Sequence, residues 1–166
     1  IKPKSGRVEL STEAITLRGP ITDLLVSGAV SLSDTDPPEF EVDIEANQTA
    51  LTKFKGLLPS PVLSAGLNTW LVDAIDGGVA QRTAIHLSSV TKGATPIGIH
   101  LEFDLDEMNI NYAPGWPAGE GVKGSLVLDS DKLNFDGAVK SVGGLPAKLS
   151  ITIPDVNADD PELNIG

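Results

Sequence analysis

The stretch Ile97-Gly-Ile-His-Leu-Glu-Phe-Asp-Leu105 decides the fold class, because its apolar and polar residues alternate with a period of two. A helix would scatter Ile97, Ile99, Leu101, Phe103 and Leu105 around its surface. An extended strand puts them on one face, with Gly98, His100, Glu102 and Asp104 on the other. Two earlier stretches behave in the same way. In Leu24–Leu32 the set Leu24, Val26, Val30 and Leu32 opposes Ser27, Ala29 and Ser31. In Glu39–Ala46 the set Phe40, Val42, Ile44 and Ala46 opposes Glu39, Glu41, Asp43 and Glu45. Such segments build a sheet with one aliphatic face and one wet, charged face.

Working outward, 17 Gly and 12 Pro punctuate the chain between short alternating runs, as an all-β fold requires. One segment breaks the rule. Ser60-Pro61 supplies an N-cap and a first-turn proline; Leu63, Leu67, Trp70, Leu71, Ala74 and Ile75 follow at helical spacing, and Gly77-Gly78 offers a left-handed stop. One amphipathic helix is therefore predicted at roughly 61–76, packed on the sheet by its Leu/Trp stripe.

An internal repeat also emerges. Gly6–Gly19 superposes on Gly124–Gly137, with Val8, Leu10, Ile15 and Leu17 matching Leu126, Leu128, Leu133 and Phe135 around a polar stretch. Each copy reads as a β-hairpin with one apolar face, and a looser third copy runs from Ile99 through Asp106-Glu107 to Ile110. The expected architecture is mainly β: a twisted, curved antiparallel sheet of repeated hairpins, groove-like or U-shaped, with one helix. We expect a single β-rich segment over 1–166, with a sub-boundary at the helix dividing 1–56 from 57–166. Ile1 and the strand-like Glu162-Leu-Asn-Ile-Gly166 read as cuts in a longer protein, so neighbouring repeats of the same chain are candidate partners.

Charge narrows the function. Twenty-three acidic against 12 basic residues give a net charge of −11, which disfavours nucleic acid and anionic bilayer surfaces. Aromatic residues, at 4%, are too few to form stacking platforms for bases or sugars. No cysteine is present, which removes disulfides and thiolate metal sites, and no apolar run approaches the length of a membrane span or signal peptide.

Candidate chemistry is thin. Gly119-Glu-Gly-Val-Lys-Gly124 matches the dinucleotide-binding glycine spacing, but an alternating strand follows where a helix is needed, so it reads as a Gly-rich turn with no cofactor. His100, Glu102 and Asp104 share a strand face at metal-ligand spacing, yet on one flat strand they read as a solvated face. His86, between Ile85 and Leu87, should also face water. Asp155–Glu162 lacks the calcium-loop spacing and reads as a solvated loop. Asn47-Gln-Thr is a formal glycosylation sequon, meaningful only in a eukaryotic source. With two histidines and no isolated carboxylate pair, no catalytic residue and no metal ligand is expected.

From Leu57 onward the chain resembles the bacterial AsmA-like proteins, specifically their central region of unknown function. The resemblance rests on Trp70-Leu71-x-x-Ala74-Ile75-x-Gly77-Gly78 and on Asn111-Tyr112-Ala-Pro-Gly-Trp116-Pro117. The hairpin Val122-x-Gly124 through Gly137 and Ile153-Pro-Asp155 complete it. It covers about the last two thirds of the chain, while residues 1–56 match in style alone. Thr91–Pro96 departs from the family by lacking a phenylalanine-containing turn. Trp70, Leu71, Gly78, Tyr112, Trp116, Pro117 and Gly124 are read as structural motif residues, Trp70 as a packing anchor and Trp116-Pro117 as a turn.

The resemblance implies the periplasmic portion of a long protein anchored in the inner membrane outside this segment. It implies a concave β surface carrying phospholipid acyl chains between inner and outer membranes, and a role in keeping the outer membrane a barrier. The residues suit such cargo, since acyl chains need an aliphatic lining with few unpaired polar groups. The candidate lining is Val8, Leu10, Val26, Val30, Phe40, Val42, Ile44, Ile99, Leu101, Phe103, Leu126, Leu128, Leu149, Ile151 and Ile153. An ordinary closed β core shows the same alternation. A structural or protein-docking module in envelope assembly is accordingly the alternative expectation.

Overall fold

The computed structural model describes residues 6–34, 36–54, 69, 73–89, 97–111, 115, 117–158, 162 and 164–166. Nine strands follow one another in chain order: β1 (Arg7–Arg18), β2 (Asp23–Ser33), β3 (Glu39–Ala50), β4 (Val79–Ser89), β5 (Ile97–Ile110), β6 (Gly119–Asp129), β7 (Lys132–Val142), β8 (Leu145–Ile153) and the two-residue β9 (Asn164–Ile165). Each pairs antiparallel with its sequence neighbour in the order β1-β2-β3-β4-β5-β6-β7-β8-β9. The result is a single meander, open rather than closed on itself, and the expected curved antiparallel sheet describes it. A helical turn, α1 (Leu51–Phe54), follows β3. Because β3 and β4 pair directly from Glu41↔Ser88 to Ala50↔Val79, the sections before and after the expected sub-boundary share one sheet.

The turns follow local chemistry. Gly143 and Gly144 both take positive φ (58° and 90°), which a two-residue hairpin loop with matching twist demands, and they join β7 to β8. Asp129↔Lys132 closes the β6–β7 hairpin, with Leu126↔Phe135 and Leu128↔Leu133 paired as the repeat analysis expects.

Two expected hairpins are corrected. Gly6–Gly19 does not fold back; Arg7–Arg18 is one continuous strand, and the polar Thr12–Ile15 stretch is a register irregularity against β2. Ile97–Ile110 is likewise one strand, with irregularities flanking Met108 and Glu107 at φ 51°. A bulge and a turn both interrupt alternation with polar residues. These sites lack the Gly-Gly or Asn-Gly chemistry that would reverse the chain.

Most of the predicted helix, with Trp70 and Leu71, lies outside the described residues; Thr69, Asp73 and Ala74 are helical. Its expected end is corrected by two residues. Ile75 bridges Ile110 and the Asp76 N–H donates to the Asn109 carbonyl (2.9 Å), so extended pairing with β5 starts directly after Ala74. Gly77 and Gly78 take positive φ (88° and 98°). Met108 backbone atoms lie 2.4–2.8 Å from where a Gly78 Cβ would stand, leaving no room for a side chain. Tyr112 and Trp116 lie outside the described residues, and Pro117 is exposed just before β6.

The core lies on one face, centred on β4–β7. Ile85, Leu101, Phe103, Leu105, Met108, Val122, Leu128, Leu133, Phe135 and Val139 are all buried, joined by Leu51 and Val156 from outside the strands. Val156 is fixed by its N–H to the Asp131 carbonyl (2.7 Å), and Leu51 by its N–H to the Gly78 carbonyl (3.0 Å). The Gly119–Gly124 run, expected to be a Gly-rich turn, is instead extended strand inside β6. There Gly124 opposes Gly137. A Cβ on Gly137 would meet the Lys123 carbonyl and the Phe135 ring, so both glycines serve close strand approach, with Phe135 lying over the gap.

Candidate functional site

Register carries the aliphatic residues into rows that cross the sheet. One row runs Ile15–Val26–Ile44–Ile85–Leu101–Leu128–Leu133–Ile153, one residue from each of eight consecutive strands. A second runs Leu17–Leu24–Ala46–Thr83–Phe103–Leu126–Phe135–Ile151. Every residue of the candidate lining falls on this face, since each is directly cross-paired within it or two residues from one that is. Among the described residues, the strands place no Asp, Glu, Lys or Arg there.

Burial divides the face. Ile99, Leu101, Phe103 and Leu128 are buried; Val26, Phe40, Val42, Ile44, Leu126, Leu149, Ile151 and Ile153 are half-buried; Val8, Leu10 and Val30 are exposed. Along β1 the exposure of Leu10 reaches 61% and of Leu17 50%, whereas Leu101 on the same face is 1% exposed. The apolar face is thus closed over β4–β7 and open over β1–β2. Around Gly28 the open part carries a hollow of about 300 Å³, lined by Leu10, Thr12, Val26, Val30 and Val42. Two hydroxyls interrupt the buried part of this face: Thr49 and Thr83 are 0% and 2% exposed, and their Oγ1 atoms have no hydrogen-bond partner among the described residues. Both stand on β3 and β4, where the open half meets the closed one.

The opposite face carries the charge. Asp43, His86, His100 and Asp129 form one cross-strand row. His86 Nδ1 lies 2.8 Å from Asp43 Oδ1, and His100 Nε2 lies 3.1 Å from Glu102 Oε1. The hydrogen bonds from His100 and then from Arg82 hold the Glu102 carboxyl below its ordinary range. Asp104 does not join them. It pairs across to Arg82 and Ser125. Among the described residues, no three His, Asp or Glu side chains converge to hold a metal ion. Lys123 sits between Asp106 (2.6 Å) and Glu107 (3.1 Å) and is held above its ordinary range by them, while Lys123 and then Gln81 draw Asp106 down. Arg7 reaches past β2 to Glu39 (2.7 Å). These exposed pairs trim charge repulsion on an acidic surface rather than assemble a reactive group.

No protein-family model, curated protein or solved structure matches the chain. No helix among the described residues is long and apolar enough to cross a membrane. What sequence reasoning missed is the division of the face into open and closed parts. Val30 and Ile99 look alike in their local alternation, and burial is decided by where each strand falls in the sheet.

Proposed function

We propose that the chain is a non-catalytic segment of a periplasmic, inner-membrane-anchored lipid-transfer protein. It carries phospholipid acyl chains along its apolar face between the inner and outer membranes. One observation supports the reading: a mostly aliphatic face on which the described strands place no charged side chain crosses eight strands and stays exposed over β1–β2. Covering a half-exposed aliphatic side chain is worth about 1 kcal/mol, so an acyl chain on this surface gains several kcal/mol without any specific polar contact. The acidic opposite face keeps such a sheet in water. The AsmA-like sequence resemblance supplies the compartment and the two membranes.

A second reading, a docking module with a closed core, is favoured by the burial of Leu101, Leu128 and Val139. Organic extraction of the purified chain followed by mass spectrometry separates the two. The lipid reading expects phospholipid in the extract and its loss on Leu10→Asp with Ile15→Asp. A lipid-free extract from protein produced in cells with a normal envelope would refute it. Abolition of protein pull-down by charge reversal at Glu41, Asp43 and Glu45 would support docking.

A further inference from the structure

β1 is the outermost strand of the sheet and pairs with β2 on one side only. All 12 of its residues, Arg7–Arg18, are exposed, and neither lysine nor proline, two common guards of a free edge, stands among them. The outer edge therefore offers a row of backbone N–H and C=O groups to a further strand. What guards this edge is a bulge. Thr12 pairs with Gly28 and Ile15 with Val26, so Glu13 and Ala14 share the single residue Ser27 of β2. A regular strand laid along the outer edge would lose register at the same place.

The bulge thereby selects the strand that fits. A second copy of β1, laid antiparallel about a two-fold axis at Glu13 and Ala14, carries the same extra residue at the same place, and the ladder runs through without a shift. That register also matches the side chains. On the apolar face Leu10 falls opposite Leu17 of the second copy, and Thr12 opposite Ile15 of the second copy. On the polar face Glu9 falls opposite Arg18 of the second copy, and Ser11 opposite Thr16 of the second copy. Each match occurs twice by symmetry, and opposite charges directly across a strand pair stabilise it. Among the described residues Arg18 makes no ion pair within its own chain. Sliding the copies by two residues one way sets Arg7 against Arg18, and the other way leaves Arg18 facing Ser11; either slide also offsets the two bulges.

We propose that two copies of this chain associate by antiparallel pairing of their β1 edges about a two-fold axis at Glu13 and Ala14, joining two sheets into one. The apolar faces of both copies then lie on the same side of the joined sheet. Each sheet has a single β1 edge, so the assembly closes at two copies. This inference stands apart from the lipid-transfer reading, and the failure of either leaves the other in place.

The test follows the full chain, stripped of lipid, by sedimentation velocity across a concentration series, where a monomer–dimer equilibrium is expected. Glu9→Arg and Arg18→Glu each set like charges opposite one another twice and should raise the dimer dissociation constant about tenfold. The two changes together restore opposite charges and should return the original constant. Both side chains are exposed, and circular dichroism checks that each variant keeps its strands. The chain has no cysteine, so a single introduced one reports the register. Ala14→Cys or Glu13→Cys, beside the axis, should link two copies through a disulfide on mild oxidation, whereas Thr16→Cys, whose counterpart lies far along the strand, should not. A chain that stays monomeric, or a dimer indifferent to the charge variants, would overturn the proposal. So would a dimer that forms no disulfide at either axial position. Open-ended oligomers would mean that β1 pairs with the opposite edge of the sheet, and would overturn it too.

Discussion

Leu10→Ala and Leu101→Ala make the same chemical change on the same face, and the division of that face into open and closed parts requires them to differ several-fold. Each removes three side-chain carbons, worth about 0.8 kcal/mol apiece when taken fully out of water, or roughly 2.4 kcal/mol. Leu101 is 1% exposed and so loses all of that, with an added cavity term among Ile85, Ile99 and Leu128. About 3–4 kcal/mol is expected, within the range of buried leucine truncations. Leu10 is 61% exposed, retains little burial to lose and leaves no cavity, so its loss should be about 1 kcal/mol. Urea unfolding followed by far-ultraviolet circular dichroism gives both values from midpoints at constant slope. In thermal melts the same difference is a fall of about 6–16 °C against about 2–4 °C. Comparable losses above about 2.5 kcal/mol would mean that β1 is packed beneath something, and comparable losses near 1 kcal/mol would mean that β4–β7 has no core. Either result would refute the partition.

Gly137→Ala should cost about 2 kcal/mol, because its Cβ would press on the Lys123 carbonyl and stand 2.7 Å from Phe135 Cζ. Gly144→Ala, which meets nothing within 4 Å and suffers only from its φ of 90°, should cost less; the reverse order in chemical denaturation would count against the glycine pair as a close-approach device. Stability should also fall at both pH extremes. Glu102 and Asp106 are depressed below their ordinary 4.5 and 3.8, so their contribution is present above those values and lost as pH falls through the lower folded ones. Lys123 is raised above 10.5, so its contribution holds below that value and disappears as pH rises through the folded one. Lys123→Met should flatten the alkaline decline in melting temperature, and an unchanged decline would assign it elsewhere.

Strand character was legible wherever one face meets water. The alternation at 24–32, 39–46 and 97–105 falls inside β2, β3 and β5, and the strand-like Glu162–Gly166 contains β9. Strand continuity was harder to read. Ser11-Thr-Glu-Ala14 is polar enough for a turn, yet on a fully exposed edge strand Glu13 costs nothing to keep extended, and the chain bulges instead of reversing. Asp106-Glu107 misleads for a related reason: the two acids stay within one strand and meet Lys123 on β6, a partner sixteen positions beyond Glu107 that local sequence does not reveal. The shared apolar face was legible in the alternation. Its open and closed parts were not, because residues alike in local alternation, such as Val30 and Ile99, differ in burial through the strand each occupies, and Leu51 and Val156 join the core from outside the strand pattern.

Confining the packing to β4–β7 has a consequence for how such a sheet can work. A binding face that also holds the fold together cannot be altered without unfolding, and ligand on it competes with its own core. Here burial lies on one part of the face and exposure on another: Leu101, Leu128 and Val139 supply the core, while Leu10, Ile15 and Leu17 contribute little to it, so the proposed binding surface would be separate from the packing. The open half is then free to change its occupant at small cost in stability. Continuous hydrogen-bonded pairing from β1 to β8 still holds it in register with the closed half. In the proposed role such a surface would exert no selection among headgroups, since among the described residues its strands carry no charged side chain to read one. If the proposed lipid-carrying role holds, an acyl chain on that half would be retained by area alone, and a competing apolar surface of similar extent, such as a membrane, would suffice to release it.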